Sequence, residues 1–314
     1  MEAHDIKLQV VANEPPPRLR ERGDAVSGHW SRAVKCRWID FFGRDVAFRN
    51  LHSLEVRPGD LFIVEQALKN LETYSLLARK DLSEYGVAMW GHGRTYSTKQ
   101  AAYLALAKNA LTRRSEWFFA YTDKGADYVA RHGFPSKRIT VLNNTIDTEE
   151  LETQLANVQP LDLLRFLELW EIQPGKTALF IGGIDEAKGI DFLLESARLV
   201  EQQLPGFKLL LGGDGSKSKS VQDAESSGYP IRYLGRLDGP EKAAALSVCD
   251  VLMIPQWIGL VAVDALVAGR PVISTFHNSH SPEHEYLRPG RSVIYTDHSV
   301  EKYAQAVVDV LSNS

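Results

Sequence analysis

Only two cysteines, Cys36 and Cys249, stand in 314 residues, and they lie far apart. That excludes a disulfide scaffold and a cysteine-based zinc cluster, and it fits a reducing compartment. No excess of one charge exists either: 36 Lys and Arg face 40 Asp and Glu, a formal net charge of −4. A mildly acidic chain has no global attraction for nucleic acid or for an anionic lipid surface, although local basic patches stay open. Long hydrophobic runs are also missing. The most apolar stretch, 259–273, is interrupted by Asp264 and Arg270 and is too short and too charged to span a bilayer. The first seven residues carry charges and precede no apolar stretch, so no signal peptide is expected and a cytoplasmic setting follows. No Asp-x-Asp pair, short-period repeat or low-complexity tract occurs. What remains is ordinary globular material, 44% hydrophobic and 24% charged, which suffices for the cores of two domains at this length.

The second half alternates strictly. Strands are expected at 176–182, 207–211, 231–234, 251–254, 271–274 and 292–295. Helices are expected at 191–203, 240–249, 261–268 and 300–311. Short connections between them predict a parallel sheet covered by helices on both faces. The first half alternates less cleanly, with strands at 6–12, 60–64, 87–90, 117–121 and 139–142 and helices at 68–80, 99–113 and 124–132. Residues 13–30, with Pro15-Pro16-Pro17 and then Arg18, Arg20 and Arg22, suggest a loop. The stretch 148–174 suggests a helical linker. The expected division is therefore 1–160, with the linker region from about 148, and 161–314.

In open α/β sheets, ligands bind beyond the carboxyl ends of the strands, so the residues just after strands matter most. Gly182-Gly183-Ile184-Asp185-Glu186-Ala187-Lys188-Gly189 follows one strand. Its glycines let a backbone approach an anion, and a lysine before a helix favours phosphate. An ordinary loop with a solvated lysine explains the same residues. Gly212-Gly213-Asp214-Gly215 after the next strand is a tight turn, with or without a ligand. The stretch from Pro255 to Ile273 is the most informative. Amides from Ile258 through Gly259 to Leu260 would sit at a helix start, ready for a diphosphate. Asp264, one turn into an apolar helix, needs a partner. Dipole compensation and a ribose diol are the two accounts of it.

Taken together, these pieces resemble family 4 glycosyltransferases, retaining enzymes of the GT-B fold. That family's donor signature is Glu-x7-Glu, then Ala, a short apolar run and Gly-x-Pro-Val. Here Gln256 stands at the first glutamate and Asp264 at the second. The 182–189 stretch is similar to the family's phosphate motif, with Lys188 matching its lysine and Gly183 replacing its usual arginine. Residues 209–215, 231–237 and 249–255 follow in the family's order, as do 90–93, 119–133 and 139–147 in the first half. The resemblance implies two Rossmann-like α/β domains facing a cleft. The C-terminal domain would bind a nucleotide sugar and the N-terminal one a saccharide or lipid-linked acceptor. Gly182, Gly183, Lys188, Gly213, Asp214, Gln256, Ile258, Gly259, Leu260, Asp264 and Glu283 would form the donor site. His92, in Trp90-Gly91-His92-Gly93, would orient the sugar, though a histidine bonded within its own loop is the plain alternative.

The resemblance implies no cofactor and no metal. The series His277, His280 and His284 offers the one metal-like spacing, and Pro282 interrupts it. Arg18, Arg20 and Arg22, with Arg113 and Arg114, are either solvated or a basic surface for a lipid-linked acceptor at the inner membrane face. The implied chemistry is hexosyl transfer in surface polysaccharide or glycolipid assembly. A non-catalytic or partner-dependent nucleotide-sugar binder stays open because of Gly183 and Gln256, as does an epimerase. Family members open with a strand, a glycine-rich loop and a helix that this sequence does not show. The N-terminal domain is therefore expected to lack its first β-α unit: either the acceptor domain is trimmed, or the chain is incomplete, or a partner or second copy completes it.

Overall fold

The structure is a computed structural model that describes residues 6–14, 31–41, 44–95, 102–276 and 280–313. Arg18, Arg20, Arg22 and His277 fall outside that set. The chain forms two compact α/β units, divided between Asn143 and Asn144.

In the first unit, β1 (Val10–Ala12) pairs in parallel with β2 (Ser31–Ala33), apart from the main sheet. The strand expected at 6–12 is thus three residues long and does not lead the sheet. An antiparallel hairpin of β3 (Cys36–Phe41) and β4 (Arg44–Arg49) comes next, and the reading above missed it. Its signal was a pair of β-rich runs on either side of Gly43. The main sheet contains β5 (Leu61–Glu65), β6 (Gly86–Gly91), β7 (Trp117–Ala120) and β8 (Ile139–Val141), all parallel and in chain order. Between them run α1 (Leu71–Ser83), α2 (Ala102–Arg113) and α3 (Asp123–Arg131). Parallel crossovers are right-handed, so strands laid down in one direction put every connecting helix on the same face. Leu76, Leu77, Leu111 and Val129 from the three helices accordingly share a core with Val87, Met89, Phe118 and Ala120. The other face leaves Leu61 and Ile63 51% exposed and Trp90 41% exposed.

The second unit starts with α4 (Thr148–Asn157) and α5 (Pro160–Trp170). Leu151, Leu155, Phe166, Leu167 and Trp170 pack on its core, so the stretch expected as a linker belongs to this unit. Then come β9 (Thr177–Ile181), α6 (Ile190–Gln203), β10 (Lys208–Gly212), α7 (Ser218–Ser226) and β11 (Ile231–Gly235). They are followed by α8 (Gly239–Val248), β12 (Val251–Met253), α9 (Val261–Val267), β13 (Val272–Thr275), β14 (Val293–Thr296) and α10 (Val300–Ser312). Helix α7 was not foreseen because Val221 is its one buried residue and leaves no apolar period. All six strands are parallel, in the order β11-β10-β9-β12-β13-β14. The chain builds outward from β9 in one direction and then returns to build from β12 in the other, which puts helices on both faces. Strand β9 lies at the centre, with Thr177 to Phe180 sealed from solvent. Among the described residues no helix is long and apolar enough to cross a membrane.

Candidate functional site

The reversal of strand order between β9 and β12 opens a crevice at their carboxyl ends, the usual ligand position in doubly wound sheets. Two glycine turns build one wall. Gly213 has φ +144°, and a Cβ there would lie 1.8 Å from the Gly182 carbonyl oxygen, so only glycine lets the turns after β9 and β10 close on each other. Backbone bonds fasten them, from Ile184 N–H to Asp214 O at 2.9 Å and from Lys217 N–H to Ile184 O at 2.8 Å. The Asp185 carboxylate accepts from both the amide and the hydroxyl of Ser216, each at 3.2 Å. Asp214 is exposed and braces its own turn. Its Oδ1 accepts from Gly215 N–H and the Ser218 hydroxyl, each at 2.7 Å, and these bonds hold its carboxyl below the usual range.

The loop after β12 forms the other wall. Trp257 has φ +51°, a left-handed conformation that a bulky residue adopts only where its surroundings enforce it. The turn aims its carbonyl at Lys188, whose Nζ donates to it at 2.8 Å. Lys188 is largely withdrawn from water, and burial lowers its pKa to about 8 against the opposing pull of Asp185. The Gln256 side chain lies against Gly189, where a Cβ would come 3.0 Å from its Cδ.

Ile258 N–H donates to Nδ1 of buried His280 at 3.1 Å. The other ring nitrogen, Nε2, faces the Thr275 carbonyl at 3.1 Å and therefore carries the proton. Of the three amides expected to face a diphosphate, that of Ile258 is thus engaged within the protein. Those of Gly259 and Leu260 make no hydrogen bond among the described residues. The histidine series serves the loop in this arrangement: His284 Nδ1 lies 2.6 Å from Ser281 O. Among the described residues no group of three His, Cys, Asp or Glu is placed to hold a metal ion.

Asp264 occupies the first turn of α9, buried, with Lys242 Nζ 2.6 Å from its Oδ1. Burial raises its pKa, and the ammonium opposes the rise. Glu283 is also buried and accepts from Asn144 Nδ2 at 2.6 Å, while the Tyr286 hydroxyl donates to Asn144 O at 3.0 Å. Sequence reasoning missed Trp257, Lys242 and Asn144 as members of this constellation. A buried carboxylate demands a partner, but spacing does not reveal which cation will supply it.

His92 belongs to the first unit, just beyond β6, half-buried and edge-on to Tyr121 with ring centroids 4.5 Å apart. Near the same strand ends, Gln66 Nε2 donates to Thr112 Oγ1 at 2.7 Å. Lys108 Nζ donates to Arg94 O at 3.3 Å, and burial lowers its pKa to about 8. Of the expected basic surface, Arg113 and Arg114 are exposed, and Arg113 also donates to His132 O at 3.1 Å.

The comparisons with known proteins fall on this architecture. A family model described as Glycosyl transferases group 1 matches residues 175–313. The phosphatidyl-myo-inositol mannosyltransferase of Mycobacterium tuberculosis is 35% identical over 106 residues, 32% of this chain and 28% of that protein. The D-inositol 3-phosphate glycosyltransferase of Pseudarthrobacter chlorophenolicus is 30% identical over 166 residues, 49% of this chain and 38% of that protein. The chain therefore spans well under half the length of these relatives. Anabaena Alr3699/HepE, solved in complex with UDP, superposes with a TM-score of 0.62 at 15% identity, over 81% of this chain and 69% of that one. At that identity the likeness shows a shared fold of two Rossmann-like units.

Proposed function

We propose, on the footing that residues 175–313 belong to the Glycosyl transferases group 1 family, that this chain moves a sugar from a nucleotide-sugar donor to an acceptor hydroxyl with retention of anomeric configuration. The observation that carries the reading is the crevice at the strand reversal, with its interlocked glycine turns and the half-buried Lys188 held on the Trp257 carbonyl. In such a transfer the bond from the anomeric carbon to the diphosphate breaks, and most of the catalytic demand falls on the departing negative charge. Lys188 and the amides of Gly259 and Leu260 would meet that charge, so the reading requires no metal. Asp264 would hold the ribose and Gln256 the sugar or the adjacent phosphate. The acceptor oxygen attacks from the side the diphosphate leaves, and its proton passes to the departing phosphate oxygen. His92 keeps the role of orienting the sugar, and Lys108 is the candidate acceptor contact. Two relatives are named for inositol-bearing molecules, which makes inositol phosphates and lipid-linked sugars the first acceptors to try.

A thermal-shift screen against nucleoside diphosphates and their sugars tests the donor half, because a ligand that binds only the folded protein raises the melting temperature. Release of nucleoside diphosphate from a labelled donor when an acceptor is added tests the transfer. Gly183, which stands where the family has arginine, favours one second reading: a nucleotide-sugar binder that depends on a partner for catalysis. Binding without turnover would select it.

A further inference from the structure

Lys242 sits in the first turn of α8, where the helix dipole disfavours a cation. Nothing about α8 itself accounts for a lysine there. Its Nζ is instead delivered to Asp264 Oδ1, across to the first turn of α9. Both side chains are mostly withdrawn from solvent, Lys242 20% and Asp264 8% exposed. Oδ1 is buried and is engaged by this ion pair alone, and Oδ2 has no partner among the described residues. A buried carboxylate with one oxygen fixed and one vacant is a directional acceptor rather than a diffuse charge. It is also one whose ionisation depends on the neighbouring ammonium.

We propose that Lys242 is a positioning residue: by holding Oδ1, it orients Asp264 so that Oδ2 accepts a hydrogen bond from a ribose hydroxyl of the bound nucleotide. This rests on the donor-site reading given above. Lys242 touches no substrate in this account. It acts through the carboxylate, so its effect is confined to the sugar ring of the nucleotide and leaves the diphosphate contacts at Lys188 in place.

Calorimetric titration of UDP, GDP and ADP, each beside its 2′-deoxy counterpart, separates the possibilities. The wild-type chain is expected to bind at least one ribonucleotide about tenfold or more tightly than its deoxy form. Lys242→Met should weaken the ribonucleotide until the two bind alike, leave the deoxy form within about twofold, and be rescued by Lys242→Arg. An equal loss for both nucleotides means a merely structural role and overturns the proposal. So does unchanged discrimination. If no nucleotide binds the wild-type chain, the donor-site reading fails first and takes this inference with it. Circular dichroism monitors folding. Should Lys242→Met not fold, Lys242→Gln, which keeps length and polarity without charge, carries the same comparison.

Discussion

Lys188 Nζ donates to the backbone carbonyl of Trp257 at 2.8 Å and so ties together the loops after β9 and β12, on the two sides of the strand reversal. The bond occupies an ammonium that burial has largely stripped of water. An incoming anion must compete with a neutral carbonyl for it, and charge decides that contest in the anion's favour.

A proton should therefore accompany the anion. Free Lys188 titrates near 8, and a bound diphosphate would restore its charge. At pH 8.5 nucleoside diphosphate binding should take up a fraction of a proton, read from calorimetry in buffers of different ionisation enthalpy. Affinity should fall as pH climbs through 8. Lys188→Arg, which stays charged throughout, should abolish the uptake and flatten the profile. In the unliganded protein the same lysine costs stability below about pH 8. That cost lifts as pH rises toward 10.5, because the unfolded chain then binds more protons than the folded one. Lys188→Ala should lower turnover by about 10²- to 10³-fold.

Gly183 leaves room for the cation the family resemblance leads one to expect. Its φ is not left-handed, and an added Cβ would meet only Asp185 Oδ2, at 3.0 Å. Gly183→Arg should fold and bind nucleoside diphosphate more tightly, by roughly threefold to tenfold. The matching nucleoside should bind unchanged. Equal gains for both would point away from the phosphates.

Gly213 tolerates no such change. The Gly182 carbonyl stands where a methyl would go, so Gly213→Ala should destabilise the second unit by more than about 2 kcal/mol. Chemical denaturation should show this as a lower midpoint for that unit, with Gly228→Ala as a control for left-handed strain without a clash, since nothing lies within 4 Å of that position.

The two units should also melt separately. Among the described residues the second buries 35 core residues and the first only 10. A calorimetric scan should resolve two transitions, the lower one belonging to the first unit. Nucleoside diphosphate should raise the upper one alone. A single transition that shifts as a whole would contradict this.

The sheet of the second unit was legible, because its buried strands are short apolar runs, closed by glycine at 177–182 and 208–213. The loops bearing Lys188 and Gln256, and the helix start bearing Asp264, could be located for the same reason. The companions of these residues could not. Nothing local marks Lys242 as the partner of Asp264, and nothing in Trp257 announces a positive φ. His280 belongs to the one metal-like spacing in the sequence, and its two nitrogens are matched to an amide and a carbonyl. Such pairings are decided by which elements the sheet order brings side by side. The first unit was harder because its β3–β4 hairpin alternates side chains on a half-exposed ribbon, a weaker pattern than a buried run.

The sheet of the first unit, with all its helices on one side, also bears on how the chain is made. Domains fold as they leave the ribosome, N-terminal first, at roughly 5–20 residues per second. Leu61, Ile63 and Trp90 are exposed on that sheet even in the finished structure, beside its edge strand β5, so a nascent chain presents the same apolar β-surface from the moment the first unit folds. Holdase chaperones or slower, cooler expression should therefore improve recovery without any change in the stability of the finished protein.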